Sequence, residues 1–433
     1  VISISHFLRT RRITLSRGRS RSVLGMLLCV LVASVAACSS GDVSSVASAP
    51  ASDITWLPCG DIKCGQIQIP IDHSAASSEK FTLGLYRRTS SVSNDARTLI
   101  LVPDKKWSTS ARDMVEAAVL TYGPRINSFN VVAVAPRGSA ESVLPTGAEH
   151  NVGTLDIVDD LDMVRRALGQ EKVSVIGWGT GATAVTAWVM QRPRDFYSAV
   201  VDSPLDPSVS PVKQIRQNIA ASELGVLTAV KWCASHLSCT INANVATGLN
   251  LLKTDMRLGR VPADVTNEVI ARAAEHALAD GNPGVFFNAI AQVMLGSSVR
   301  LQALAGVALV QADANSKCAD VSQADAVSMV QAYEAMSDQY FRLGNTAQLY
   351  GFCSAIPAAV RPLGAVKPSA IASEAKVLVT IARGDQMNAP VNAREMAKRM
   401  GWKYQSVFAN RHLVVGIDRA MTQTAMDFLS GER

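Results

Sequence analysis

Aromatic side chains, net charge and long apolar runs are all scarce in this chain. Aromatic residues make up 5% and charged residues 18% of its 433 positions. Residues 1–37 contain no acid and no lysine, and their six arginines (Arg9, Arg11, Arg12, Arg17, Arg19 and Arg21) carry the whole formal excess of +6. Beyond them 36 basic residues face 36 acidic ones, so no basic footprint is left for a phosphate backbone. Nucleic acid is therefore excluded as a partner. The apolar run Val23–Val32 is too short for a comfortable membrane span, which needs about 20 residues. What is plentiful is hydrophobic content, 48%, enough to bury one large core with an insertion or two to three smaller ones.

The arginines, the apolar run and the small-residue segment Ala33–Cys38 follow the charge–apolar–cleavage order of a secretory signal. Arg11-Arg12 is a twin-arginine pair whose following residues fit that export signal poorly. Val35-Ala36-Ala37-Cys38 resembles a bacterial lipobox, which implies a signal peptide over 1–37 and lipidation at Cys38. The expected location is the outer face of the cell membrane, with the lipid anchor as membrane partner. Residues 38–54, rich in Ser and Ala, cannot bury enough apolar surface to fold and read as a flexible tether.

Apart from Cys29 and Cys38, six cysteines remain: Cys59, Cys64, Cys233, Cys239, Cys318 and Cys353. An even number in an exported chain argues for disulfides, and the simplest of the many connectivities pairs neighbours. His236, between Cys233 and Cys239, raises the rival reading of a metal site, but no neighbouring motif supplies a fourth ligand. No metal and no cofactor is expected.

Short β-rich runs alternate with helical patterns, the signature of a mostly parallel sheet covered by helices on both faces. Eight strands are expected: Gln66–Ile71, Phe81–Arg88, Thr98–Val102, Phe129–Ala135, Lys172–Gly177, Ser198–Asp202, Lys376–Ala382 and Lys403–Ala409. Residues 205–370 break the rhythm with nearly continuous helical periodicity and read as a helical cap inserted after the sixth strand. The core is accordingly expected in two parts, 55–204 and 371–433.

The segment Lys172–Ala184, KVSVIGWGTGATA, carries the most information. A buried strand runs into a glycine-rich turn and then a small-residue helix. A nucleophile elbow reads G-x-S-x-G, with glycines where the strained backbone presses on its neighbours. Gly177 and Gly181 hold the flanking positions, and Gly179 stands where the serine belongs. Thr180 holds the next position, whose backbone N–H normally helps to bind an oxyanion; as a nucleophile it would put Trp178 where only a small side chain fits. A phosphate loop is absent, and the dinucleotide pattern fails at Ala182.

Residues 56–430 resemble the secreted prolyl- and tripeptidyl-aminopeptidase-like serine hydrolases of actinobacteria. The resemblance rests on Trp56-x-x-Cys59 with Cys64 and Ile69-Pro70-Ile71-Asp72, on Phe129–Val132 leading to Arg137-Gly138, and on Thr154-x-Asp156-x-x-x-Asp160-Leu161. Val201-Asp202, Ser316–Asp320 and Phe352-Cys353 complete it in order. It implies an α/β-hydrolase fold and a cap disulfide between Cys318 and Cys353. It also carries over two triad members, Asp385 in R-G-D-Q-M-N-A-P and His412 in A-N-R-H, in the order elbow, acid, histidine. Two departures stand against catalysis. The nucleophile is Gly179, and the family's Gly-Gly-Pro-Gly oxyanion loop is replaced by Pro103-Asp104-Lys105-Lys106-Trp107. Together they point to a lineage released from acyl transfer, with Asp385 and His412 kept as an ion pair joining two loops. The leading expectation is an inactive homologue that binds a peptide, a lipid or an envelope partner. Hydrolysis by water activated at His412 and a purely structural lipoprotein stay open beside it.

Overall fold

The computed structural model describes residues 53–431 except positions 76, 94, 106–108, 242–243, 307–317, 335–352, 354–360 and 365. The signal segment 1–37, Cys38 and nearly all of the tether lie outside the described residues, as do Lys106 and Trp107.

One sheet organises the molecule. Its strands are β1 (Thr55–Cys59), β2 (Ile62–Pro70), β3 (Lys80–Arg88), β4 (Thr98–Val102), β5 (Asn130–Val134), β6 (Val173–Trp178), β7 (Phe196–Asp202), β8 (Val377–Ala382) and β9 (Lys403–Val407). They lie in the order β1-β2-β3-β5-β4-β6-β7-β8-β9. The first three pair antiparallel, and β3 meets β5 antiparallel. From β5 to β9 every pairing is parallel. Among the described residues the sheet has nine strands, where the sequence pattern predicts eight. The additional one, β1, has no clean in–out alternation and contains Pro58, which hides it from a periodicity argument. It is held by the Trp56 ring lying over Gly65, its register partner, and by the Cys59–Cys64 disulfide across the turn.

Strands β4, β6 and β8 are buried along their whole length, because helices cover both faces. The helices are α1 (Ala111–Glu116), α2 (Ala118–Tyr122), α3 (Thr154–Ala167), α4 (Gly179–Gln191), α5 (Pro211–Ser235), α6 (Val245–Arg257), α7 (Asn267–Ala279), α8 (Pro283–Met294), α9 (Val299–Ala305), α10 (Gln323–Glu334), α11 (Pro390–Met400) and α12 (Arg419–Ser430). On one face Val158, Trp188 and Met396 from α3, α4 and α11 share a core with the sheet. On the other, Met114, Tyr122 and Met426 from α1, α2 and α12 do the same. Helices α5 to α10 lie between β7 and β8 in sequence, and Leu252, Ile270, Phe287 and Ile290 form a separate core there. Cys233–Cys239 and Cys318–Cys353 are disulfide-bonded within this cap, and Cys318 and Cys353 pack with Val321 and Met329.

Arg137, only 1% exposed, fastens the end of β5 to its surroundings. Its guanidinium makes two bonds to Asp160 of α3, at 2.6 and 2.7 Å, and donates to the carbonyls of Pro70, Ile71 and Asn151. A buried cation is tolerable only with its charge and donors matched in this way. The Arg-Gly motif is thus a tie between strand ends and the helix ahead of the elbow.

Candidate functional site

The elbow forms because its glycines cannot be anything else. A Cβ on Gly177 would come within 2.8 Å of the Ala182 Cα, and one on Gly181 within 2.7 Å of the Pro103 carbonyl oxygen. Strand β6 therefore turns into α4 with its backbone pressed directly against the end of β4. Gly179, at the apex, has φ +50°, the left-handed conformation of a strained strand-to-helix turn. Trp178 is buried beneath it and donates its indole N–H to the Val415 carbonyl at 2.9 Å.

What faces the apex is a carboxylate. A Cβ built on Gly179 would overlap the Asp104 side chain, meeting its Cγ at 2.8 Å and its Oδ2 closer still. Asp104 follows β4 and is 6% exposed. Its Oδ2 accepts the Thr180 backbone N–H at 2.7 Å and the Thr180 hydroxyl at 3.0 Å. The amide expected to serve an oxyanion is thus already bonded to an anion of the chain itself. Lys105 closes the loop, donating its backbone N–H to the Thr180 hydroxyl oxygen at 3.0 Å and its ammonium to the Val152 carbonyl at 2.6 Å. Burial, partly offset by Asp320, brings the Lys105 pKa down to about 8.

The other two expected residues meet. His412 Nδ1 lies 2.9 Å from Asp385 Oδ2, and both side chains are buried. The second oxygen of Asp385 accepts the amides of Met387 and Asn388, which orients the carboxylate toward the ring. Burial of His412 opposes its charged form, but the charge and hydrogen bond of Asp385 outweigh that, with Asp104 and Asp202 adding to them, so its pKa is raised. Asp385 thus favours the imidazolium form of His412, as an acid partner does for any imidazole it orients.

Asp202, which our reading treated only as a strand end, proves central. It is fully buried at the end of β7 and its Oδ2 accepts the amides of Val414 and Val415, while Oδ1 accepts the Thr380 hydroxyl. Burial pushes its pKa up to about 6 despite those bonds. It shapes the loop that presents His412, where Leu413 takes φ +56°. The cap reaches the same loops. The His412 backbone N–H donates to the Ala279 carbonyl at 2.8 Å, Asn218 accepts the Ala389 amide, and Ser222 donates to the Gln386 carbonyl. No local pattern in α5 marks Asn218 or Ser222 for that task.

His236 engages the Trp232 carbonyl at 2.7 Å and stacks on the Trp232 ring. Among the described residues no group of three or more His, Cys, Asp or Glu side chains is placed to hold a metal ion. No helix among them is long and apolar enough to cross a membrane.

The strand order, the elbow between β6 and α4, and an acid and a histidine after β8 and β9 converge on one architecture. A family model described as the alpha/beta hydrolase fold matches residues 114–257, which include the elbow. The chain has the α/β-hydrolase fold. Its curated relatives include the serine protease Hip1 of Mycobacterium tuberculosis and that of Mycobacterium bovis, each 20% identical over 251 residues. The match covers 45% of this chain and 47% of either relative, so it spans about half the length of those proteins. Solved structures that resemble it include the proline iminopeptidase of Mycobacterium smegmatis, at 11% identity and a TM-score of 0.45 over 84% of this chain and 98% of that one. The serine hydrolase CCSP0084 of Cycloclasticus zankles follows at 14% identity and a TM-score of 0.42, covering 85% of this chain and 98% of its own.

Proposed function

We propose that this α/β-hydrolase-fold protein is an exported lipoprotein, anchored through Cys38, that has given up serine-based acyl transfer and acts by binding an envelope ligand. The observation that carries this reading is the Asp104 carboxylate standing in the space a nucleophilic side chain on Gly179 would need. Three disulfides in the chain agree with an oxidising compartment. A cavity of about 540 Å³ between the 71–79 turn, the 145–151 loop and the start of α3 offers room for a ligand outside the elbow. Its walls carry Asp72, Glu79, His150, Asp156 and Arg361, a polar lining that suits a peptide or a polar wall fragment better than an acyl chain.

The retained Asp385–His412 bond favours a second reading, hydrolysis by water activated at His412. Against it stands the Asp104 carboxylate, which fills the space over Gly179. A fluorophosphonate probe on the purified protein decides between serine chemistry and its loss. No labelling is expected, and labelling at any residue that His412→Ala abolishes overturns the proposal. Ester or peptide hydrolysis without labelling, lost in His412→Ala, would establish the second reading instead. Globomycin treatment or Cys38→Ala should leave unprocessed precursor; normal processing of the alanine variant would remove the anchor.

A further inference from the structure

We infer that the former reaction centre is a carboxylate-binding socket, occupied in cis by Asp104. This rests on the proposal that the elbow no longer performs acyl transfer, and it names what the elbow holds instead. Three groups converge on the occupant. The Thr180 amide is the first free N–H after the apex of α4, where the helix dipole favours an anion, and it lies 2.7 Å from Asp104 Oδ2. The Thr180 hydroxyl adds a second donor to the same oxygen at 3.0 Å. The buried His412 side chain is near enough for the charge of Asp104 to favour its protonated form. An amide and a hydroxyl donor backed by an imidazole form a set that recognises a carboxylate.

A hydrolase that cleaves an ester or a peptide releases a carboxylate at this point. In this chain the equivalent group is built in, tethered by the backbone beside Pro103. Tethering makes its local concentration far higher than that of any free acid, so the socket stays filled without a ligand. The glycine at position 179 belongs to the same arrangement, since any side chain there would displace the occupant. Thr180 is itself exposed, so solvent and small solutes reach the rim of the socket.

Replacing the occupant with a free acid tests the assignment. Asp104→Ala in the otherwise intact protein should lower Tm and move the Thr180 amide proton upfield. Formate or acetate at millimolar concentration should then restore both saturably. Chloride at equal ionic strength and the neutral isostere acetamide should not. Asp104→Asn fills the same volume, so its Tm should be indifferent to acetate. If Asp104→Ala does not fold alone, its refolding yield is expected to rise with acetate and not with chloride. Equal response to acetate and chloride, in Tm or in yield, overturns the socket. Fluorophosphonate labelling of the unaltered protein overturns the underlying proposal, a separate result in a separate protein.

Discussion

The Asp104 carboxylate accepts the backbone N–H of Thr180 at 2.7 Å, across the gap between the loop after β4 and the start of α4. That single bond joins the two places where the chain departs from its resembled family, the missing serine and the altered oxyanion loop. They are one change seen from two sides. A serine at 179 and an aspartate at 104 compete for the same volume.

Restoring serine alone is therefore expected to fail for steric reasons. Gly179→Ser should destabilise the protein by about 1–3 kcal/mol through overpacking against Asp104. Asp104→Gly should relieve most of that, so the two substitutions couple favourably by about 1 kcal/mol or more in a double-mutant cycle. Denaturant melts of the four proteins measure the coupling. Fluorophosphonate labelling should be stronger in the double variant than in either single one. Additive stabilities would show that the two side chains do not share a space.

A carboxylate in a nucleophile's seat has the chemistry to open an epoxide. Its oxygen attacks a ring carbon, the ring C–O bond breaks, the alkoxide takes a proton from water, and a second water cleaves the ester at Asp104 Cγ to regenerate the carboxylate. The attacking oxygen, Oδ2, already accepts the Thr180 amide and hydroxyl, which lowers its nucleophilicity. No turnover at Asp104 is expected. Incubation with epoxide probes in H₂¹⁸O should leave the mass of the peptide containing Asp104 unchanged, and incorporation of ¹⁸O would make Asp104 catalytic.

His412 also links stability to pH. Its folded pKa is raised above the unfolded value near 6.5, so the imidazolium stabilises the fold fully below that value. The contribution is lost as pH rises through the folded pKa. Relative to His412→Gln, the unaltered protein should lose stability as alkaline pH is approached. Urea melts at successive pH values give the difference, and a parallel pair of curves would remove the ion pair from the energetics.

How much of this was legible in the residues varies with distance along the chain. Gly177 and Gly181 announce the elbow because sterics leave no other residue there, and Asp385 and His412 follow at strand ends in the expected order. Asp104 was read only as one of several bulky side chains replacing glycines. Its role depends on its approach to Thr180, 76 residues away in sequence, which no local pattern encodes. Asp202 was passed over for the same reason, as its partners lie beyond the whole cap.

Asp202 offers a cleaner titration. Burial raises its pKa from 3.8 to about 6, so the folded state holds its proton more tightly than the unfolded one. Stability relative to Asp202→Asn should fall as pH rises through that window, by about 3 kcal/mol in all. Asparagine can still accept the Val414 and Val415 amides, so the variant should fold. Potentiometric or NMR titration of Asp202 with an ordinary carboxyl pKa would contradict this.

The three disulfides should rank by loop length. Cys318–Cys353 spans 35 residues, against 5 for Cys59–Cys64 and 6 for Cys233–Cys239. On chain-entropy grounds removing the first should cost about 4 kcal/mol and either of the others about 2 kcal/mol. Melts of the paired alanine variants test the order, and a larger loss from Cys59–Cys64 would refute it.

The bond from the His412 amide to the Ala279 carbonyl ties the loop after β9 to the cap, so completion of the sheet and docking of the cap are expected to be coupled. Strands β8 and β9 follow the cap in the chain, yet the loops after them are held by residues that precede them. Detaching α5 and α7 would release the Gln386–Ala389 turn and the His412 loop together. In native-state hydrogen exchange, the amides of Ala389 and His412 should accordingly share one protection factor.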